Sequence, residues 1–106
     1  MGLDPGTARV GWGVIAETPA GPKAIAYGMI VTKKEKPDDE RLVDIHKATA
    51  QLLTKYKPDN VAIESLFFAT NATTAMSVGQ ARGVLLLTCS LKKITTFSYS
   101  PLEVKR

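Results

Sequence analysis

Two acidic residues close short apolar runs. Asp4 follows Gly2-Leu3, and Glu64 follows Val61-Ala62-Ile63. Each run reads as a strand that stops on its acid. Ligands of open α/β sheets bind at the carboxyl ends of strands, so neighbouring strands would aim both carboxylates into one crevice. Paired carboxylates repel, and the remedies are a shared proton or a divalent cation. An all-oxygen ligand set suits Mg2+, with Mn2+ as the substitute. Two such ions about 4 Å apart would clamp the attacking and leaving oxygens of a phosphodiester. The competing interpretation is that each acid caps a turn or pairs with a lysine. Two acids, each ending a strand that otherwise reads as buried, weigh against it.

The residues around these acids extend the same chemistry. Asp4-Pro5-Gly6-Thr7 places an acid, a tight turn and a hydroxyl before Gly11-Trp12-Gly13 opens the next strand. This suits a metal-bearing hairpin. It equally suits a phosphate-gripping one, because backbone N–H groups and a Thr hydroxyl also cradle phosphates. Phe67-Phe68 lies just after Glu64. Adjacent aromatics cannot both face one core, so one is free to stack on or wedge into a base step; the alternative is a core or a dimer seam. Arg9, Lys33, Lys34, Lys36, Arg82, Lys92, Lys93, Lys105 and Arg106 could neutralise phosphates. Arg82 stands apart, because it sits inside an otherwise apolar helix and needs a partner. His46 has no second His or Cys at ligand spacing and reads as a partly exposed helix residue.

The elements that must position these groups are legible from periodicity. Val10 to Ala16 and Lys23 to Thr32 read as a hairpin around the turn cluster Thr18-Pro19-Ala20-Gly21-Pro22. A helix capped by Asp38 or Asp39 runs to about Lys57, with Leu42, Ile45, Leu52, Leu53 and Tyr56 on one face. Asn60 to Glu64 is a strand. A second helix, capped by Asn71 or Thr70, reaches about Leu91. It is apolar on most faces, which predicts burial on more than one side, against the sheet and with a second subunit as the further candidate neighbour. Ile94 to Tyr99 is a further strand, and Pro101 suits the first turn of another helix. The resulting order is a mixed α/β sheet, an antiparallel hairpin plus parallel strands joined by crossover helices.

Length and composition set the bounds. The 106 residues suffice for one compact domain. With 44% hydrophobic and 23% charged residues the chain reads as globular rather than disordered. Lys and Arg number 14 against 10 Asp and Glu, and the net charge of +4 favours a polyanionic partner. The single cysteine, Cys89, permits no internal disulfide and no zinc cluster, and it fits a reducing compartment. No apolar run exceeds the four residues of Val84 to Leu87, far too few to span a bilayer. A soluble, cytoplasmic protein is the expectation.

Several segments together resemble a known family. Gly2-Leu3-Asp4-Pro5-Gly6-Thr7 with Gly11-Trp12-Gly13-Val14-Ile15 is similar to the opening of RuvC-type Holliday-junction resolvases. So are Tyr27-Gly28 through Val31-Thr32, Ala62-Ile63-Glu64 with Leu66-Phe67, Ser77-Val78-Gly79-Gln80-Ala81-Arg82-Gly83, and Tyr99-Ser100-Pro101 with Glu103-Val104-Lys105. The likeness runs the length of the chain in order. It implies a ribonuclease-H-like fold over residues 1–106 and a homodimer formed through the 71–91 helix. It also implies binding and symmetric nicking of four-way DNA junctions, with hydrolysis at a pair of Mg2+ ions. Asp4 and Glu64 match the first two metal-binding acids, Phe67 the aromatic near the junction bases, and Lys105 a basic residue of the active site. RuvA and RuvB are the implied protein partners.

Two departures accompany the likeness. The family continues into further helices that carry its remaining catalytic Asp residues, whereas this sequence stops at Arg106, so the domain is expected to be incomplete at its C-terminus and to cut DNA weakly or not at all. Only three residues precede Asp4, which shortens a central strand. The alternative function is therefore a module of the same fold that binds branched DNA without cutting it. An ATP-binding domain of the sugar-kinase and actin type also opens on an acid, Gly and Thr hairpin, but it needs a second domain and leaves Glu64-Ser65-Leu66-Phe67 unused. The YqgF-type nucleases share the opening, and the Gly79-Gln80-Ala81-Arg82-Gly83 helix argues against them.

Overall fold

The computed structural model describes residues 1–6, 8–65 and 72–99, with side chains in the last range from residue 75 onward. The chain runs β1 (Gly2–Pro5), β2 (Arg9–Thr18), β3 (Gly21–Val31), α1 (Asp38–Tyr56), β4 (Asn60–Glu64), α2 (Ala72–Leu91) and β5 (Thr95–Tyr99). The strands form one five-stranded sheet in the order β3-β2-β1-β4-β5. β2 is antiparallel to both β1 and β3, while β4 is parallel to β1 and β5 to β4. The carboxyl ends of β1, β3, β4 and β5 therefore share one end of the sheet, where β2 begins.

The expected hairpin is present and longer than its hydrophobic alternation suggested. Pairing extends from Arg9↔Val31 down to Thr18↔Gly21, with a bulge between Val14 and Ile15. Gly21 takes a φ of 109° in the turn, a left-handed conformation that favours glycine. Gly28 lies beneath the Trp12 ring, where an added Cβ would sit 3.0 to 3.1 Å from three ring atoms. Trp12 in turn meets Tyr56 of α1, with ring centroids 5.7 Å apart. Gly28→Ala should therefore displace the indole and cost about 1–3 kcal/mol by overpacking. Denaturant unfolding that left stability unchanged would show that the ring moves aside freely.

Both helices pack on one sheet face. Leu3, Val10, Val61 and Ile63 from the strands meet Ile45, Leu53, Ala81, Leu85 and Cys89 from the helices, and Leu42 and Leu52 pack on this core from its rim. Helix α1 does not start on an aspartate cap. Pro37 is its N-cap residue and makes no side-chain cap bond, and Asp38, Asp39 and Glu40 occupy the first turn. The fixed φ of proline fits the extended backbone of this N-cap, at φ −57° and ψ 152°, and acids in the first turn complement the positive end of the helix dipole. The helix ends on Lys57, left-handed at φ 45°, whose N–H donates to the Leu53 carbonyl at 3.0 Å. Pro58 cannot continue the helix.

Helix α2 begins at Ala72, and its expected caps, Thr70 and Asn71, lie outside the described residues. It closes on a Schellman motif: Ile94 N–H donates to Cys89 O at 3.0 Å and Lys93 N–H to Ser90 O at 2.9 Å, with Lys93 at φ 60°. Within a single chain one side of this helix is buried. Ala81, Leu85 and Cys89 face the core, whereas Met76, Leu87 and Leu91 are exposed. His46 is half-buried, and its Nδ1 lies 2.8 Å from the Thr88 hydroxyl. Thr88 donates to the Val84 carbonyl at 2.7 Å. A hydroxyl carries one proton, so His46 Nδ1–H is the donor in that pair. Histidine thus serves as a tie between the helices.

Candidate active site

Alternation along β1 and β4 decides where the two acids go. Leu3 and Ile63 are register partners, both buried on the helix-covered face. One residue further along each strand, Asp4 and Glu64 turn to the opposite face. They stand abreast on adjacent parallel strands, about 4.8 Å apart at the backbone by ordinary strand spacing. Their side chains meet. The hydrogen bond with Asp4 is the main reason that the Glu64 carboxyl holds its proton up to about 7; burial and the Asp4 charge add to the effect. A carboxyl at that value means that the pair shares a proton near neutrality, because two bare carboxylates in contact repel.

Gly11 lines this pair, where even an added Cβ would make only ordinary van der Waals contact. Gly11 is the register partner of Asp4 on β2. A Cβ there would lie 3.6 Å from Asp4 Cβ and 4.0 Å from its Oδ2. The second glycine-flanked feature is the turn after Asp4, where a Cβ on Gly6 would approach the Arg9 carbonyl to 2.4 Å. Only glycine permits that approach, which fixes the hairpin tightly behind the acid. Thr32 braces the same turn: its N–H donates to Ala8 O at 3.1 Å and its hydroxyl to the same oxygen at 3.4 Å, while Arg41 Nε donates to the Thr32 hydroxyl at 3.0 Å.

The basic residues divide. Arg9 is exposed at the start of β2. It is two residues from Gly11 and so on the same face as Asp4. Lys33 and Lys34 follow β3 at the same end of the sheet and are exposed. Lys36 is already paired with Asp44 at 2.8 Å. Arg82 finds the partner that its apolar helix called for: its Nη2 donates to the Ser98 hydroxyl on β5, while its Nε is buried without a partner among the described residues. Phe67, Phe68 and Lys105, along with the Thr7 hydroxyl, lie outside the described residues.

One neighbour of the acids carries no role in the sequence reading. Tyr99 ends β5 as the register partner of Glu64. Burial first, then Glu64 and Asp4, push its phenol above the ordinary tyrosine range. The signal available in sequence was a third parallel strand ending on a polar side chain, which only strand order could connect to the other two.

Among the described residues no group of three or more His, Cys, Asp or Glu side chains gathers to hold a metal. The Asp4–Glu64 pair is nevertheless a fitting partial ligand set for a hard divalent cation. Mg2+ is ordinarily held by one or two carboxylates, with waters and substrate phosphates filling its octahedron. A cation held there would take over the charge compensation that the shared proton gives the pair.

Comparison with known proteins bears on the same site. The sequence profile of the family described as crossover junction endodeoxyribonuclease RuvC matches residues 1–106. Proteins so described from Thermomicrobium roseum and Roseiflexus sp. are 45% and 44% identical over 106 residues. All of the chain is covered in both, and it spans 64% and 63% of their lengths. Among solved structures, T. thermophilus RuvC in complex with a Holliday junction substrate superposes with a TM-score of 0.89 at 29% identity, covering 98% of this chain and 65% of that one. The five-stranded mixed sheet with crossover helices is thus the ribonuclease-H-like arrangement that the sequence led us to expect. None of the described helices is long and apolar enough to cross a membrane.

Proposed function

Because the chain belongs to the RuvC family of crossover junction endodeoxyribonucleases, we propose that its acid pair is the cation-binding part of a site that hydrolyses phosphodiesters in four-way DNA junctions. The observation that carries this reading is the meeting of Asp4 and Glu64 on the open face of the sheet, with the Glu64 carboxyl raised to about 7. Residues 1–106 act in this reading as one ribonuclease-H-like nuclease domain.

Hydrolysis adds water across one P–O bond, and charge builds on the phosphoryl oxygens as it does so. A divalent cation pair, Mg2+ or Mn2+, would supply the electrophile and an acidified water. Asp4 and Glu64 would hold those ions, giving up their shared proton on binding. Arg9, Lys33 and Lys34 lie at the same end of the sheet as the acids and would hold the flanking phosphates, contacts that orient the strand without reading its bases. Phe67 and Phe68 are proposed to contact the junction bases and Lys105 to assist at the active site. Arg82, tied to Ser98, would serve DNA binding through the position of β5.

A homodimer through α2 accompanies this reading. Met76, Leu87 and Leu91 repeat at helical spacing, exposed on the side away from Ala81 and Leu85. An apolar stripe of that kind suits a second copy of the same helix. RuvA and RuvB as partners, and the cytoplasm as the location, complete the proposal.

The test compares a labelled four-way junction with a linear duplex of the same sequence, with and without Mg2+. The expected result is junction-selective binding, with whatever nicking occurs requiring the cation. Equal affinity for the two DNAs would overturn the junction reading. Selective binding with no nicking in Mg2+ or Mn2+ would favour the module that holds branched DNA without cutting it. Arg9→Ala should lower the slope of log affinity against log salt by about one unit, the loss of about one phosphate contact. An unchanged slope would remove Arg9 from the interface.

A further inference from the structure

Three neighbouring parallel strands end in a row. Asp4 is the last residue but one of β1, while Glu64 closes β4 and Tyr99 closes β5, with Glu64 and Tyr99 in register. All three side chains lie on the sheet face opposite the helices. The Tyr99 backbone is held in place, because its carbonyl accepts the Ser65 N–H at 2.6 Å. Its neighbour Ser98 is held from α2 by Arg82. The ring is half-buried. Glu64 thus has Asp4 on one side and the phenol on the other.

We propose that Tyr99 is a positioning residue of the acid pair, walling Glu64 on its β5 side so that its carboxylate stays turned toward Asp4. Two carboxylates that have lost their shared proton repel, and a glutamate has the rotamer freedom to swing away. The direction left open by Asp4 is toward β5, which is the edge of the sheet. A tyrosine ring occupies that space at low cost in side-chain entropy. Its hydroxyl is a neutral donor, so it adds no third negative charge. It can donate to one Glu64 oxygen while the other faces a cation, as groups behind metal ligands commonly do.

The proposal deepens the reading of Asp4 and Glu64 as a cation site, and its test separates the two. Glu64 side-chain couplings are measured by NMR in the metal-free 106-residue chain and its Tyr99→Phe and Tyr99→Val variants, followed by Mn2+ titration of each. One dominant Glu64 rotamer is expected in the parent and in Tyr99→Phe, and rotamer averaging in Tyr99→Val. Mn2+ affinity should fall about tenfold in Tyr99→Val and no more than about threefold in Tyr99→Phe, in line with the loss of a group that orients a ligand. An unchanged Glu64 rotamer in a folded Tyr99→Val, or equal Mn2+ affinity in all three, overturns the proposal. If Tyr99→Val fails to fold, Tyr99→Leu takes its place. A parent chain that binds no Mn2+ defeats the cation-site reading, and the rotamer comparison still decides the role of Tyr99.

Discussion

Asp4→Asn is expected to lower the affinity of the chain for Mn2+ by about 100-fold or more while leaving the fold intact. Loss of a group behind a metal ligand already costs about 10–100-fold, so loss of a direct ligand falls at or beyond the upper end. The fold should survive because Asp4 is exposed and asparagine has its shape. The same substitution has a pH signature. The Glu64 carboxyl is raised from 4.5 to about 7, chiefly by its hydrogen bond with Asp4. Its proton is therefore bound more tightly in the folded chain than in the unfolded one. That contribution to stability is complete below about pH 4.5 and is lost as the pH rises through 7. Thermal melts of the metal-free parent should fall across this window, those of Asp4→Asn should fall less, and Mn2+ should restore the parent above pH 7. Melting temperatures that rose across the window in the parent, or Mn2+ affinities that matched in the two proteins, would dissolve the pair as described.

The second large effect is on stability. Leu3 is fully buried at 0% exposure in the central strand, one residue before Asp4, and packs against the helix side of the core. Leu3→Ala should cost about 2–5 kcal/mol, the range for opening a cavity at a buried leucine. That is a large part of the ~5–15 kcal/mol total of a small domain. Val43→Ala, at a position 48% exposed on α1, should change stability by less than about 0.5 kcal/mol. Denaturant midpoints check both. Equal losses from the two substitutions would mean that the core lies elsewhere. Because β1 carries Leu3 on one face and Asp4 on the other, the Leu3 variant should also lose cation affinity before it unfolds globally.

Much of this protein was determined by residue order alone. Element order follows from periodicity, because an alternating strand and a helix with apolar residues three and four apart are local patterns. The candidate acids are visible there as well, since Asp4 and Glu64 each follow an apolar run. Helix α1 was less legible at its start: aspartates attract an N-cap assignment, yet Pro37 sets the backbone there and the acids serve the helix dipole instead. Composition shows that α2 is apolar on most sides but not which side the sheet covers: Ala81, Leu85 and Cys89 are buried, and Met76, Leu87 and Leu91 stay exposed in the single chain. Tertiary structure alone decided that Asp4 and Glu64 share a face, since a shift of one residue in either register would have put one acid in the core. It alone brought Tyr99 beside Glu64, across 35 positions of chain, through strand order. Local sequence carries the period of each element. Which elements lie side by side depends on long-range packing of Leu3, Ile63 and Leu85, and the chemistry of the site depends on that adjacency.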